Sequence, residues 1–209
     1  MAITIMCSNS KAQTTKTTSN NSNFDSRVSL AFKVGTNYSN VYDSKDETFH
    51  ADPKFGFLAG GYVAIPLGKY FGVQPEVLFS QKGYKATGTL LGTTYSMTRT
   101  TSFIDVPILF AVKPSEHLTL VVGPQYSFLL QRKDEYTNGT TTVLQQQEFN
   151  NENYRKNIFS AMVGVDATMQ NLVLGLRAAW DLEENNGDGT STTPRYKNRW
   201  LQASLAFRF

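Results

Sequence analysis

One cysteine and two histidines among 209 residues leave little material for thiol or soft-metal chemistry. Cys7 lies in the first thirteen residues, where Ala2, Ile3, Ile5 and Met6 precede Ser10-Lys11-Ala12-Gln13. This stretch reads as a truncated signal-peptide remnant over residues 1–13, cleaved near Ala12 or Gln13, so the mature chain is expected to carry no thiol. That excludes a disulfide scaffold and any cysteine nucleophile or cysteine-ligated metal. Apolar runs of about 18 residues are also missing, which excludes a spanning helix. Charge is sparse: 18% of residues are charged, the formal net charge is +3, and no basic cluster is dense enough to track phosphates, so nucleic acid is excluded as a partner.

What the chain has instead is alternation. From Trp200 to Phe209, Leu201, Ala203, Leu205, Phe207 and Phe209 share one strand face, while Gln202, Ser204 and Arg208 share the other. Seven earlier stretches repeat the rhythm: Arg27–Tyr42, Lys54–Leu67, Phe71–Tyr84, Thr94–Val112, Leu118–Arg132, Asn157–Met169 and Leu172–Glu183. Short connections (Gly68 to Tyr70, Lys113 to His117, Gln170-Asn171) alternate with long ones (Asp43 to Pro53, Gly83 to Thr93, Lys133 to Lys156, Glu184 to Lys197). This parity predicts an all-β fold, an eight-stranded antiparallel up-and-down transmembrane β-barrel over residues 27–209, preceded by a flexible lead-in at 14–26. Short turns and both termini are expected on the periplasmic side. At 18% charge, about eight charges would fall among the roughly 45 positions assigned to lipid, and there are none. Pro75, Pro107 and Pro124 interrupt assigned strands, and bulges or bends are expected there, because a closed barrel has no edge on which a missing N–H is harmless.

The segment Val73-Gln74-Pro75-Glu76-Val77-Leu78-Phe79-Ser80-Gln81-Lys82-Gly83 resembles the PorT-like outer-membrane β-barrel family, often labelled porin family, of Gram-negative bacteria. Lys33 to Asn40, Ile104 to Leu109 and Val122 to Gln125 look like its first, fourth and fifth strands. The resemblance implies an outer-membrane location with lipid as surroundings. It also implies a terminal assembly signal at Leu205, Phe207 and Phe209, with the barrel assembly machinery as partner during biogenesis. Some relatives serve protein secretion.

Lys33, Glu76, Lys82, Asp105, Asp166, Arg177, Asp181 and Arg208 all take interior parity, four of each sign. An eight-stranded barrel is only wide enough for its own side chains, so these read as a paired plug centred on Glu76, Asp105 and Arg177. The competing reading is a narrow solute or ion path. Tyr136, Phe149 and Tyr154, in the longest connection, are candidates for contact with a protein partner. Tyr38, Tyr70, Phe71, Tyr126, Trp180, Tyr196 and Trp200 fit interfacial girdles. Glu184-x-Asn186-x-Asp188-Gly189 imitates a calcium loop, but its twelfth position is Arg195 rather than a bidentate glutamate. His50 stands among Asp43, Asp46, Glu47 and Asp52, and a lone histidine in an acidic loop is a weak metal site. No catalytic set, cofactor or metal is expected. The function expected is a filled barrel with a structural or interaction role through its extracellular loops, the alternatives being a secretion or envelope-assembly accessory and a narrow channel.

Overall fold

The computed structural model describes residues 27–43, 51–90, 93–138, 141–148, 156–184 and 196–209. Among them run β1 (Ser29–Asp43), β2 (Ala51–Pro66), β3 (Phe71–Leu90), β4 (Thr93–Val112), β5 (Leu118–Asn138), β6 (Thr141–Glu148), β7 (Asn157–Met169), β8 (Leu172–Asp181) and β9 (Tyr196–Arg208). Sequential strands pair antiparallel from β1 to β6 and again from β7 to β9, and β1 closes on β9 from Ala31↔Arg208 to Asp43↔Tyr196. β5 pairs with β7 along its first half and with β6 along its second, so the nine strands form eight staves of a closed barrel. The signal remnant, the lead-in, the calcium-like loop beyond Glu184 and His50 lie outside the described residues.

Alternation decides which face is wet. Phe32, Val77 and Leu174 are 54%, 57% and 49% exposed on the outer wall, whereas Lys33, Glu76 and Arg177 are 1–3% exposed inside. The turn at Gln170-Asn171 needs a left-handed residue, and Gln170 supplies it with φ 53°. Asn171 then ties this turn to the last strand, its Nδ2 donating to Arg208 O at 2.8 Å.

Three features differ from expectation. Two of the long connections are largely strand: β3 and β4 run on through Leu90 and Thr93, and the Lys133 to Lys156 stretch contains the end of β5 and all of β6. Ala86 still packs inside against Tyr84 and Tyr196, but Lys85-Ala86-Thr87-Gly88-Thr89 places no large apolar residue at alternate positions, so no strand rhythm shows there. Tyr136 therefore lies within β5, opposite Met97 and Val143, and not in a loop. Phe149 and Tyr154 lie outside the described residues.

The prolines, secondly, cause no bulge, although pairs drop out of the ladder beside each of them while the register is kept. Pro75↔Ile108 and Leu78↔Asp105 keep one register, as do Pro107↔Gln125 and Phe110↔Val122, and Pro124↔Ala161 is continuous with its neighbours. The shifts fall elsewhere. Between Pro53↔Tyr84 and Leu58↔Ser80, β2 carries one extra residue. Side chains of β1 serve the backbone groups freed there: Asn37 Nδ2 donates to Gln81 O (3.1 Å), and Ser39 Oγ both accepts from Gly83 N and donates to Gly83 O, each at 2.8 Å. In β5, Ser102 faces Gln131 while Phe103 faces Leu129, leaving Leu130 as the extra residue. Beyond it the inward parity passes to even numbers, and Asp134 is buried.

Thirdly, Tyr196 and Trp200 are interior residues, 6% and 3% exposed, and not part of a girdle. Parity explains this, since Trp200 shares a face with Gln202 and Ser204.

The seam where the first and last strands meet tolerates no side chain at Gly35, where a Cβ would sit 2.2 Å from Ala203 O. Gly35→Val is expected to destabilise the barrel by about 1–3 kcal/mol, read as loss of the heat-resistant fast-migrating band on denaturing gels. Gly68→Ala, where nothing lies within 4 Å, should leave that band unchanged.

Candidate functional site

The interior is organised around Glu76. Its carboxylate accepts from Lys33 Nζ at 2.9 and 2.8 Å, from Gln74 Nε2 at 2.7 Å and from Arg177 Nη1 at 2.8 Å. Arg177 reaches on to Asp166 through Nη2 at 3.1 Å. The four charges Lys33, Glu76, Arg177 and Asp166 thus form one neutral chain spanning β1, β3, β7 and β8. Space for it is provided by small residues: a Cβ at Gly164 would lie 2.5 Å from Arg177 Cγ. Asp166 Oδ1, Arg177 Nε and Gln202 Nε2 are buried without a protein partner among the described residues, a pattern suited to ordered water.

A second group sits apart from the first. Lys82 Nζ lies 3.0 Å from Asp105 Oδ2 and 3.4 Å from Ser127 Oγ, with the Trp200 ring centroid 3.9 Å and the Phe103 centroid 4.8 Å away. Asp105 therefore belongs here and not to the Glu76–Arg177 centre. Asp181 forms a third station, accepting from Ser160 Oγ at 2.8 Å, from Asn198 N at 3.0 Å and from Asn198 Nδ2. Arg208 lies at the short-turn end, where a recess of about 20 Å³ is bounded by Thr119, Asp166 and Arg208.

Towards the opposite end, Arg99 holds Asp134 with two bonds, Nε to Oδ1 at 2.7 Å and Nη2 to Oδ2 at 2.9 Å, and Arg99 Nη1 donates to Tyr196 Oη at 3.1 Å. Arg132 adds a third contact to Asp134 at 3.0 Å. This cluster is absent from the interior set read from the sequence, because the extra residue in β5 hides Asp134 from parity counting.

Apolar residues complete the filling. Ala31, Tyr62, Val173 and Ala206 close the short-turn end. Leu109, Val121, Met162 and Trp200 pack along one wall, and Val41, Tyr84, Ala86 and Tyr196 close the far end. Leu205, Phe207 and Phe209 point outward, with the last two rings 5.2 Å apart.

A closed antiparallel cylinder with a charge-free apolar band outside and a polar, ion-paired interior defines an outer-membrane β-barrel. The chain belongs to the family described as outer membrane protein beta-barrel domain, whose model matches residues 11–185, and it is a protein of the outer membrane. Neisserial surface protein A has the same fold at 11% identity and a TM-score of 0.50, with 88% of this chain and 99% of that one covered. The attachment invasion locus protein Ail of Yersinia pestis aligns at 10% identity and a TM-score of 0.46, covering 87% and 98%. A major outer membrane protein of Thermus thermophilus aligns at 16% identity and a TM-score of 0.46, covering 86% and 99%. No match was found among curated proteins.

Neutralising Glu76 leaves the buried cations Lys33 and Arg177 without the carboxylate they share. Glu76→Gln should cost about 3–5 kcal/mol in reversible urea unfolding from lipid vesicles. The Lys33→Met/Glu76→Gln double variant should cost less than the two single losses added together, since the partners act as a unit.

Proposed function

We propose that this protein is a filled barrel that works through its outward-facing end and not through its lumen. The observation that carries the reading is the interior itself: Lys33, Glu76 and Arg177 interlock across the bore at 1–3% exposure. An eight-stranded barrel leaves little bore beyond its own side chains. The role inferred is structural or interaction-based, without catalysis. By the general orientation of such barrels, the end bearing the short turns faces the periplasm. The extended ends of β3, β4 and β5 with β6 then rise from the cell surface as a polar wall, and Tyr136 is part of that wall.

A finer reading, a secretion or envelope-assembly accessory of PorT type, has the resemblance across Val73–Gly83 in its favour. Crosslinking in intact cells followed by purification tests it: a recurrent envelope partner supports the accessory role, and recovery of the barrel alone opposes it. Insertion by the barrel assembly machinery belongs to the same reading, with Leu205, Phe207 and Phe209 as the recognised residues.

In planar bilayers the native protein should show no stable conductance steps. Arg177→Ala, which removes the side chain joining Glu76 to Asp166, should raise leak current. Stepwise conductance from the native protein would replace the filled-barrel reading with the narrow channel.

A further inference from the structure

The outer wall carries one feature that a uniformly greasy surface does not require. Across β8, β9 and β1 the register aligns Leu176, Ala203 and Thr36 in one row, then Ala178, Leu201 and Tyr38, then Trp180, Arg199 and Asn40. Ala178, Ala203 and Thr36 are small where neighbouring outward positions are large, so the wall is hollowed there. Two adjoining depressions of about 430 and 530 Å³ share Tyr38, Ala178 and Leu201 and form one groove climbing from Ala203 to Arg199. The Tyr38 and Phe55 rings, 4.8 Å apart, border it on one side, and Val163 and Trp180 on the other.

The groove changes character at its top. Below Arg199 the outward positions of the described strands in this region carry no charge. Arg199 itself is exposed on the lipid-facing side, at the end remote from the short turns. Its guanidinium lies 5.8 Å from the Tyr42 ring centroid, and among the described residues it has no carboxylate partner. A cation at the upper margin of an apolar channel matches a molecule with a hydrocarbon tail below and a negative group above.

We propose that the groove seats one acyl chain of an outer-leaflet lipid and that Arg199, backed by Tyr42, takes that lipid's phosphate. Trp180 and Tyr38 stand beside the headgroup level, as amphipathic rings do at an interface. The site distinguishes lipids by charge at the top and by shape along the groove.

Native mass spectrometry of the whole protein, released from micelles holding equal amounts of phosphatidylglycerol and phosphatidylcholine, tests the site. The native protein should retain the anionic lipid preferentially. Arg199→Gln should reduce that preference about fivefold, the factor attached to one basic residue near an anionic lipid surface. Ala178→Leu fills the groove and should lower retention of both lipids. Ala167→Leu, on the outer face of β7 near the short turns, should change neither. Circular dichroism keeps folding separate from binding, and if Ala178→Leu fails to fold, the exposed Arg199 variant decides alone. Equal retention of the two lipids by the native protein, or an unchanged preference in Arg199→Gln, overturns the proposal. So does a dimer whose formation Ala178→Leu abolishes, because the groove would then be a contact between copies.

Discussion

Hydrocarbon gives a backbone amide nothing to bond to, and the rest of this molecule follows from that constraint. Every N–H and C=O at membrane depth must find a partner on a neighbouring strand, so the sheet has to close, and β1 must meet β9. Closure in turn makes departures from the ladder costly. Where β2 takes an extra residue near Gly56, the freed groups of Gln81 and Gly83 are served by Asn37 and Ser39 from the strand beyond. The three prolines each remove a donor, yet the strands on either side hold them in register, since shifting a stave by one residue would turn its apolar face inward.

The closed sheet then sets a second problem, an interior cut off from bulk water. Charges there need an opposite charge or hydrogen-bond donors: Asp181 takes its donors from Ser160 and Asn198, and Glu76 answers two cations at once. The neutral chain from Lys33 to Asp166 and the Lys82–Asp105 pair use different partners, but each brings opposite signs to within 3.1 Å. Aromatic faces supplement the carboxylates: Trp200 lies inside, against Lys82, where an indole in a girdle would have met lipid. The exterior obeys the converse rule, and Arg199 stands where its apolar band ends.

Much of this was legible in the chain. A period of two with no charge on the apolar face is enough to separate the lipid side from the lumen side, and it assigned Lys33, Glu76, Asp105, Asp166, Arg177 and Asp181 to the interior. Trp200 was given to a girdle on its aromatic identity at a strand end, and the structure puts it inside with Gln202 and Ser204, whose parity it shares. Strand ends were not legible, because beyond the lipid the outward face no longer has to be apolar and the periodic signal fades. Asp134 was not legible either: one inserted residue, Leu130, exchanged the faces of everything after it.

The order of apolar and polar residues therefore determined that the chain is a lipid-facing barrel and placed most of its charged groups within it. Partnership was decided only by the tertiary structure. Glu76 meets Arg177 across 101 positions of sequence and Lys33 across 43, and which charge stands level with which depends on the stagger of every stave and on two extra residues. Parity is a local property of each strand, whereas height in a closed barrel is the accumulated sum of all registers around the ring.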